Sequence, residues 1–112
     1  MIVKNPLQPT KKAEGEFLVD SGASFTVLPN EMVKKLNIKP RFERDFSLAD
    51  GKIMTRKIGN AAVVIEKEEI VVPVVLGEKD DQSLLGVTTL ESFGLMLDPF
   101  ARKIYKSKLM LG

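Results

Sequence analysis

Hydrophobic positions along the chain come in short runs separated by turn-forming residues, and most of these runs have strand rather than helix length. Ile2 and Val3 before Asn5-Pro6 predict a short edge strand, and the polar residues 8–16 predict a loop or hairpin. Phe17-Leu18-Val19 predicts a buried strand that stops at the turn-forming Asp20-Ser21-Gly22, which leaves a carboxylate where a core strand ends. Thr26-Val27-Leu28 resumes extended structure. Pro29-Asn30 then opens a short helix in which Met32, Val33 and Leu36 share a face while Lys34 and Lys35 take the wet side.

The middle of the chain carries its strongest short-range signal. Asp50-Gly51, flanked by Phe46 and Leu48 on one side and Lys52-Ile53 on the other, predicts a protruding β-hairpin with positive φ at both turn positions. Strands are predicted over 52–58, 61–66 and 69–76, with Gly59-Asn60 and the stretch from Glu66 to Glu69 as turns. Pro73 marks its strand as an edge or a bulge. Leu84-Leu85-Gly86 is a short apolar run after a polar loop, and Thr88 with Glu91 three residues on fits a capping box for a helix ending at Gly94. Leu95-Met96-Leu97 reads as a strand turned by Asp98-Pro99, and residues 103–111 as a final strand with Ile104, Leu109 and Leu111 apolar. Many short strands with one or two short helices make a mainly β domain, closed or sandwiched.

Length and composition narrow this further. With 112 residues, 44% hydrophobic and 29% charged, the chain is expected to form a single domain over 1–112. Folding at this size buries roughly two-thirds of the surface of the unfolded chain, so some apolar surface remains for a subunit contact. The net charge of +2, from 17 basic and 15 acidic residues mixed along the chain, does not point to nucleic acid. The densest basic stretch, Arg102, Lys103, Lys106 and Lys108 with Tyr105 as its one aromatic, reads as the solvated side of a strand. The acidic runs from Glu66 to Glu69 and from Glu78 to Asp81 read as exposed turns. No stretch is long and apolar enough for a membrane span or a signal peptide, so a cytoplasmic location without membrane attachment is expected.

The chain contains neither cysteine nor histidine. That excludes disulfides, thiolate catalysis, cysteine–zinc sites and the commonest general base. For hydrolysis there remain carboxylate chemistry, a serine–lysine arrangement, or magnesium on carboxylates. The lysines fall mostly on polar faces or in turns, which disfavours a desolvated catalytic lysine. Glu78 with Asp80-Asp81 matches no calcium-loop spacing, and no metal or other cofactor is expected. Asp98 before Pro99 reads as a turn residue.

Asp-Ser-Gly alone is weak evidence, since chance places it in roughly a few chains of this length in a hundred, but its surroundings are much less common. Phe17-Leu18-Val19-Asp20-Ser21-Gly22-Ala23-Ser24 is followed by a hairpin, then Leu84-Leu85-Gly86, a helix and Leu97-Asp98-Pro99. This order resembles the retropepsin-like aspartic peptidases over nearly the whole chain, most of all the small cellular, bacterial and archaeal members, whose middles often carry Ala-Asp-Gly as Ala49-Asp50-Gly51 does here. The resemblance implies a small, closed, β-barrel-like acid-protease fold that acts as a homodimeric endopeptidase on extended peptide or protein substrates. Asp20 would be the catalytic residue, with Ser21, Gly22 and Ala23 supporting its loop and Ser21 bonding across the two-fold axis. Ala49, Asp50 and Gly51 would tip a flap over the substrate, and Leu84, Leu85 and Gly86 would form the core behind the site. The chain holds one Asp-Ser-Gly, so a second copy of the chain would supply the second carboxylate. The terminal segments, Ile2-Val3 and 104–111, are the candidates for a shared dimer sheet.

The resemblance also has a gap. Retroviral members often carry Asp four positions after the catalytic Asp and Arg directly after the later Gly, and here these positions hold Ser24 and Val87. Both partners of that pair are missing together, so no charge is orphaned. Two further readings therefore stand beside the peptidase: a non-catalytic dimer of the same fold that binds extended peptides or mediates dimerisation, and a monomeric β domain in which Asp20 only ends a strand.

Overall fold

Alternation of buried Val3 and Asn5 with half-buried Ile2 and Lys4 sets the first strand, β1 (Ile2–Asn5), with one face to the core. The computed structural model describes residues 1–48, 50–98 and 103–106. Along the chain, β1 is followed by β2 (Gln8–Glu14), β3 (Leu18–Val19), β4 (Thr26–Leu28), helix α1 (Asn30–Leu36), β5 (Phe42–Ser47), β6 (Ile53–Ile65) and β7 (Glu68–Leu76). Then come β8 (Leu84–Leu85), helix α2 (Val87–Ser92), β9 (Leu95–Asp98) and β10 (Lys103–Lys106).

The main sheet runs β2-β1-β6-β7-β4-β8-β3, with β5 paired to β6 beside this path, and β9 and β10 form a separate antiparallel pair. The architecture is mainly β with two short helices, as expected, but among the described residues the sheet is not closed into a barrel. Its path ends at β2 and β3, and the outer edge of β2 carries exposed Thr10, Lys11 and Lys12, polar residues of the kind that discourage further pairing.

β1 is not an edge strand. It pairs with β2 through Val3↔Ala13 and with β6 through Val3↔Val63, so Ile2 and Val3 have no free backbone edge to offer a dimer sheet. The tight β1–β2 turn is held by Asn5, whose carboxamide oxygen accepts from the Leu7 N–H (2.9 Å) while its nitrogen donates to the Leu36 carbonyl at the end of α1 (2.9 Å). A second correction concerns Gly59-Asn60, which is no turn: β6 runs unbroken through it, and Gly59 pairs with Val74. A Cβ on Gly59 would lie 2.9 Å from Ile38 Cγ2 and 3.0 Å from the Lys39 carbonyl, so glycine here permits close packing rather than a reversal. The reversal comes one step later, at Glu66 with φ 56°. Pro73 behaves as expected, because it lies in the part of β7 that precedes the β4 pairing at Val74.

The core lies between the sheet and α1. Met32 and Leu36 of α1 pack with Val3, Leu28, Val63, Val72 and Val74, all at most 7% exposed, and half-buried Val33 packs against them. The predicted helix face is therefore the observed one. Of the C-terminal strand predicted over 103–111, residues 103–106 form β10, with Lys103 opposite Asp98 and Lys106 opposite Leu95. Residues 107–111, expected in the final strand, and Ala49, expected at the hairpin tip, lie outside the described residues. Among the described residues no helix is long and apolar enough to cross a membrane.

Candidate active site

Asp20 follows β3, a two-residue strand too short to stand alone, and its position is fixed by neighbours distant in sequence. β3 pairs in parallel with β8, and the Asp20 N–H donates to the Leu85 carbonyl (3.1 Å) while Leu18 N–H donates to Ser83 (3.0 Å). β4, which leaves the Asp20 loop, lies on the other side of β8 through Val27↔Leu84. The strand carrying Leu84-Leu85 is thus inserted between the strand entering the loop and the strand leaving it. This explains why the two motifs, far apart in the chain, belong to one site.

Within the loop, the Asp20 side chain accepts a hydrogen bond from the Gly22 N–H at its Oδ1 (2.8 Å), and Ala23 N–H donates to the Asp20 carbonyl (3.2 Å). A Cβ on Gly22 would lie 3.2 Å from the same Oδ1, so glycine gives the amide its close approach to the carboxylate. Asp20 is half-buried and Ser21 is exposed. Leu85 is buried at 6% exposure, as a supporting residue would be, whereas Leu84 is half-buried and lines the cleft.

α2 braces the loop from behind. The expected capping box does not form: the N-cap is Gly86, with no side-chain cap, and the helix starts at Val87. Its free N–H groups go to the Asp20 loop instead, Val87 to the Ala23 carbonyl and Thr88 to the Ser24 carbonyl, both at 2.9 Å. Ser24 and Val87, which stand where the retroviral pattern has Asp and Arg, each take part in one of these two backbone bonds, with Thr88 and Ala23 as their partners. Below them Thr26 and Thr89, both fully buried, share a hydroxyl bond of 2.6 Å, and Thr26 Oγ1 also accepts from the Gly86 N–H (3.0 Å). Thr26→Val removes the acceptor for Gly86 and the partner of Thr89 while keeping the shape, and is expected to lower unfolding free energy by about 1–3 kcal/mol, read from urea denaturation.

The hairpin β5–β6 overhangs this loop, with Phe46↔Met54 and Ser47↔Ile53 as the outermost strand pairs. Its tip differs from the two-residue turn expected, since Gly51 has φ 86° but Asp50 does not have positive φ. Gly51 N–H donates to the Leu48 carbonyl (3.0 Å), Leu48 N–H to Lys52 (2.8 Å) and Lys52 N–H to Asp50 Oδ1 (3.0 Å). This is a longer loop in which a left-handed glycine ends the turn. Asp50 therefore holds turn geometry. Phe25, from the Asp20 side, meets Phe46 of the hairpin edge-to-face with ring centroids 6.3 Å apart.

Between the loop and the hairpin lies a cleft of about 430 Å³ that contains Asp20 with Val27, Phe46, Met54, Val75 and Leu84. A larger hollow of about 710 Å³ lies behind β3, lined by Phe17, Val19, Ile65 and Leu95 among others. It lacks Asp20, and the cleft is the better candidate because the carboxylate of the motif opens into it.

One pair in the cleft escaped the sequence analysis. Arg56 of β6 grips Asp81 bidentately, Nε to Oδ2 at 2.7 Å and Nη2 to Oδ1 at 3.0 Å, and its Nη1 reaches Glu78 Oε2 at 2.7 Å. The run from Glu78 to Asp81 is a turn, but Asp81 is no solvated charge: its side chain is 17% exposed and that of Arg56 is 15%. The available signal was the period of two that puts Arg56 in phase with Met54 and Ile58. The Arg56 hydrogen bonds hold the Asp81 carboxyl below the usual carboxylate range, against the opposing effect of burial, and the Glu78 N–H adds to them. A depressed carboxyl pKa stabilises the fold above the unfolded value, near 3.9, and that contribution is lost as pH falls through the folded value. The stability difference between wild type and Asp81→Asn, measured by urea midpoints, should therefore be constant above about pH 5 and shrink below about pH 4.

No curated protein and no solved structure gives a significant match to the chain. Residues 10–92 match the family model described as gag-polyprotein putative aspartyl protease, a span that takes in the Asp20 loop, the overhanging hairpin, Leu84-Leu85-Gly86 and α2. On that match, over well more than half its length, the chain belongs to this retropepsin-like family of aspartyl proteases.

Proposed function

We propose that the chain is one half of a homodimeric aspartic endopeptidase of the small cellular type, which cleaves extended polypeptide segments. The observation that carries the reading is the Asp20 carboxylate, open to a cleft under a hairpin and held at the end of β3, a strand that is not buried as expected, since Leu18 is 64% exposed and Val19 half-buried. The chain supplies one such carboxylate, and water attack on a peptide bond by this chemistry uses two. A two-fold axis beside the Asp20 loop brings in the second from an identical chain. Two carboxylates about 3 Å apart cannot both ionise, so one keeps a proton. The ionised member takes a proton from the attacking water, and the protonated member donates to the carbonyl oxygen as the carbon becomes tetrahedral.

The other residues take roles around this pair. Ser21, exposed beside Asp20, bonds across the axis, while Gly22 and Ala23 fix the loop through the hydrogen bonds already described. Ala49, Asp50 and Gly51 form the tip of a flap that closes over a substrate held by main-chain pairing. Leu85 and Gly86 support the loop from behind, and Leu84 supports it from the cleft side. With β1 enclosed between neighbours, the β9–β10 hairpin is the terminal element left to build the dimer sheet.

The test is cleavage of a diverse unstructured peptide library by wild type and Asp20→Asn from mildly acidic to neutral pH, with sedimentation in the same samples. Cleavage that depends on Asp20 in a dimer supports the reading. A dimer that binds peptides without cutting them at any pH would favour the non-catalytic peptide-binding module, a reading kept open by Ser24 and Val87.

A further inference from the structure

Among the described residues, Arg56 is the one cation whose side chain lines the cleft, and it lies on the same face of the hairpin as Phe46 and Met54. Cross-strand pairing of Phe46 with Met54 puts these two on one face, and Arg56, two residues on, shares it. A guanidinium beside an apolar pocket would ordinarily attract an acidic ligand side chain. Here it cannot, because both of its outward nitrogens on the Asp81 side are engaged by that carboxylate. Asp81 is likewise unable to act as a free anion toward a lysine or arginine. Glu78, the third member, has a side chain 63% exposed and does not line the cleft, so its charge is screened by water.

We infer that the Arg56–Asp81 pair is a specificity-determining element of the cleft: it presents a charged wall with no net charge, which restricts the adjoining subsite to uncharged side chains. The inference rests on the cleft being the peptide-binding site, but not on turnover. Each half of the pair hides a latent preference of opposite sign. Asp81→Asn removes the bidentate partner of Arg56 and leaves it only the water-exposed Glu78 at Nη1, so the subsite should then favour Asp or Glu. Arg56→Gln leaves Asp81 uncompensated and should favour Lys or Arg. The double variant removes both charges and should return the choice to uncharged residues.

The experiment selects a displayed pool of short unstructured peptides against four proteins, all carrying Asp20→Asn so that bound peptides survive: the intact pair, the two single variants and the double variant. At one peptide position, acidic residues should be enriched about tenfold by Asp81→Asn and basic residues about tenfold by Arg56→Gln, with neither enriched by the intact pair or the double variant. A pair that only stabilises the fold would not reverse the sign between the two single variants. The same enrichment in all four proteins, or no peptide bound by any, overturns the inference. Failure of both single variants to fold, by thermal melting, also overturns it, since the pair would then be a structural requirement. Wild-type protein is assayed for cleavage in parallel: absence of Asp20-dependent cleavage defeats the peptidase reading alone, while the selection still decides the role of the pair.

Discussion

Replacing Asp20 with Asn is expected to lower peptide cleavage by roughly 10²–10⁴-fold or more, with fold and dimer intact. The amide keeps the size of the carboxylate and its oxygen can still accept from the Gly22 N–H, so the loop retains its local hydrogen bond. What it loses is the ability to ionise. In a symmetric dimer both members of the dyad change at once, so neither can draw a proton from water or hold the shared proton. The measurement is initial cleavage rate at matched dimer concentration, with melting temperature as the control for folding. Cleavage at the wild-type rate would remove Asp20 from the chemistry and return it to the role of a strand-ending turn residue.

A large loss of stability is expected from a side chain at Gly86. Its Cα faces the backbone of Phe25 and Thr26 so closely that a Cβ would overlap the Phe25 carbonyl group and come within 2.8 Å of the Thr26 nitrogen. These are main-chain atoms, and they cannot swing aside as a flexible side chain would. Gly86→Ala must therefore push the strand leaving the Asp20 loop away from β8, which also breaks the Gly86–Thr26 hydrogen bond. Overpacking of this kind costs about 1–3 kcal/mol or more, and in a domain of this size each kcal/mol lowers the melting temperature by about 4–8 °C. Activity should fall further than stability alone explains, because the displaced segment carries Ala23 and Ser24, the acceptors for the first amides of α2. Calorimetric melting with cleavage measured well below the transition separates the two effects.

Much of this site was legible in the sequence, for a physical reason. An apolar run that ends in Asp-Ser-Gly, a hairpin signal at Asp50-Gly51 and an apolar pair before Gly86 are each local patterns, and local patterns fix local conformation. The helix faces of α1 followed equally from the spacing of Met32, Val33 and Leu36. What the sequence hid were choices made by tertiary neighbours. Gly59 reads as a turn until Ile38 and Lys39 are seen pressing on it. Thr88 reads as a cap because it precedes Glu91, yet the helix N-terminus is satisfied by the carbonyls of Ala23 and Ser24. Ile2-Val3 reads as an edge because it is short and terminal, while β2 and β6 enclose it. Arg56 and Asp81, separated by 25 residues, had no local reason to be read as partners.

The central claim is that one working site contains Asp20 from two chains, and subunit mixing tests it most directly. Asp20→Asn protein is added in increasing amounts to a fixed concentration of wild type, and cleavage is measured after the subunits have exchanged. If the site is shared, every mixed dimer is inactive, and three variant chains for each wild-type chain should reduce the rate to about one quarter of its starting value. A rate that stays constant as variant is added would mean that each chain works alone, and would contradict the account.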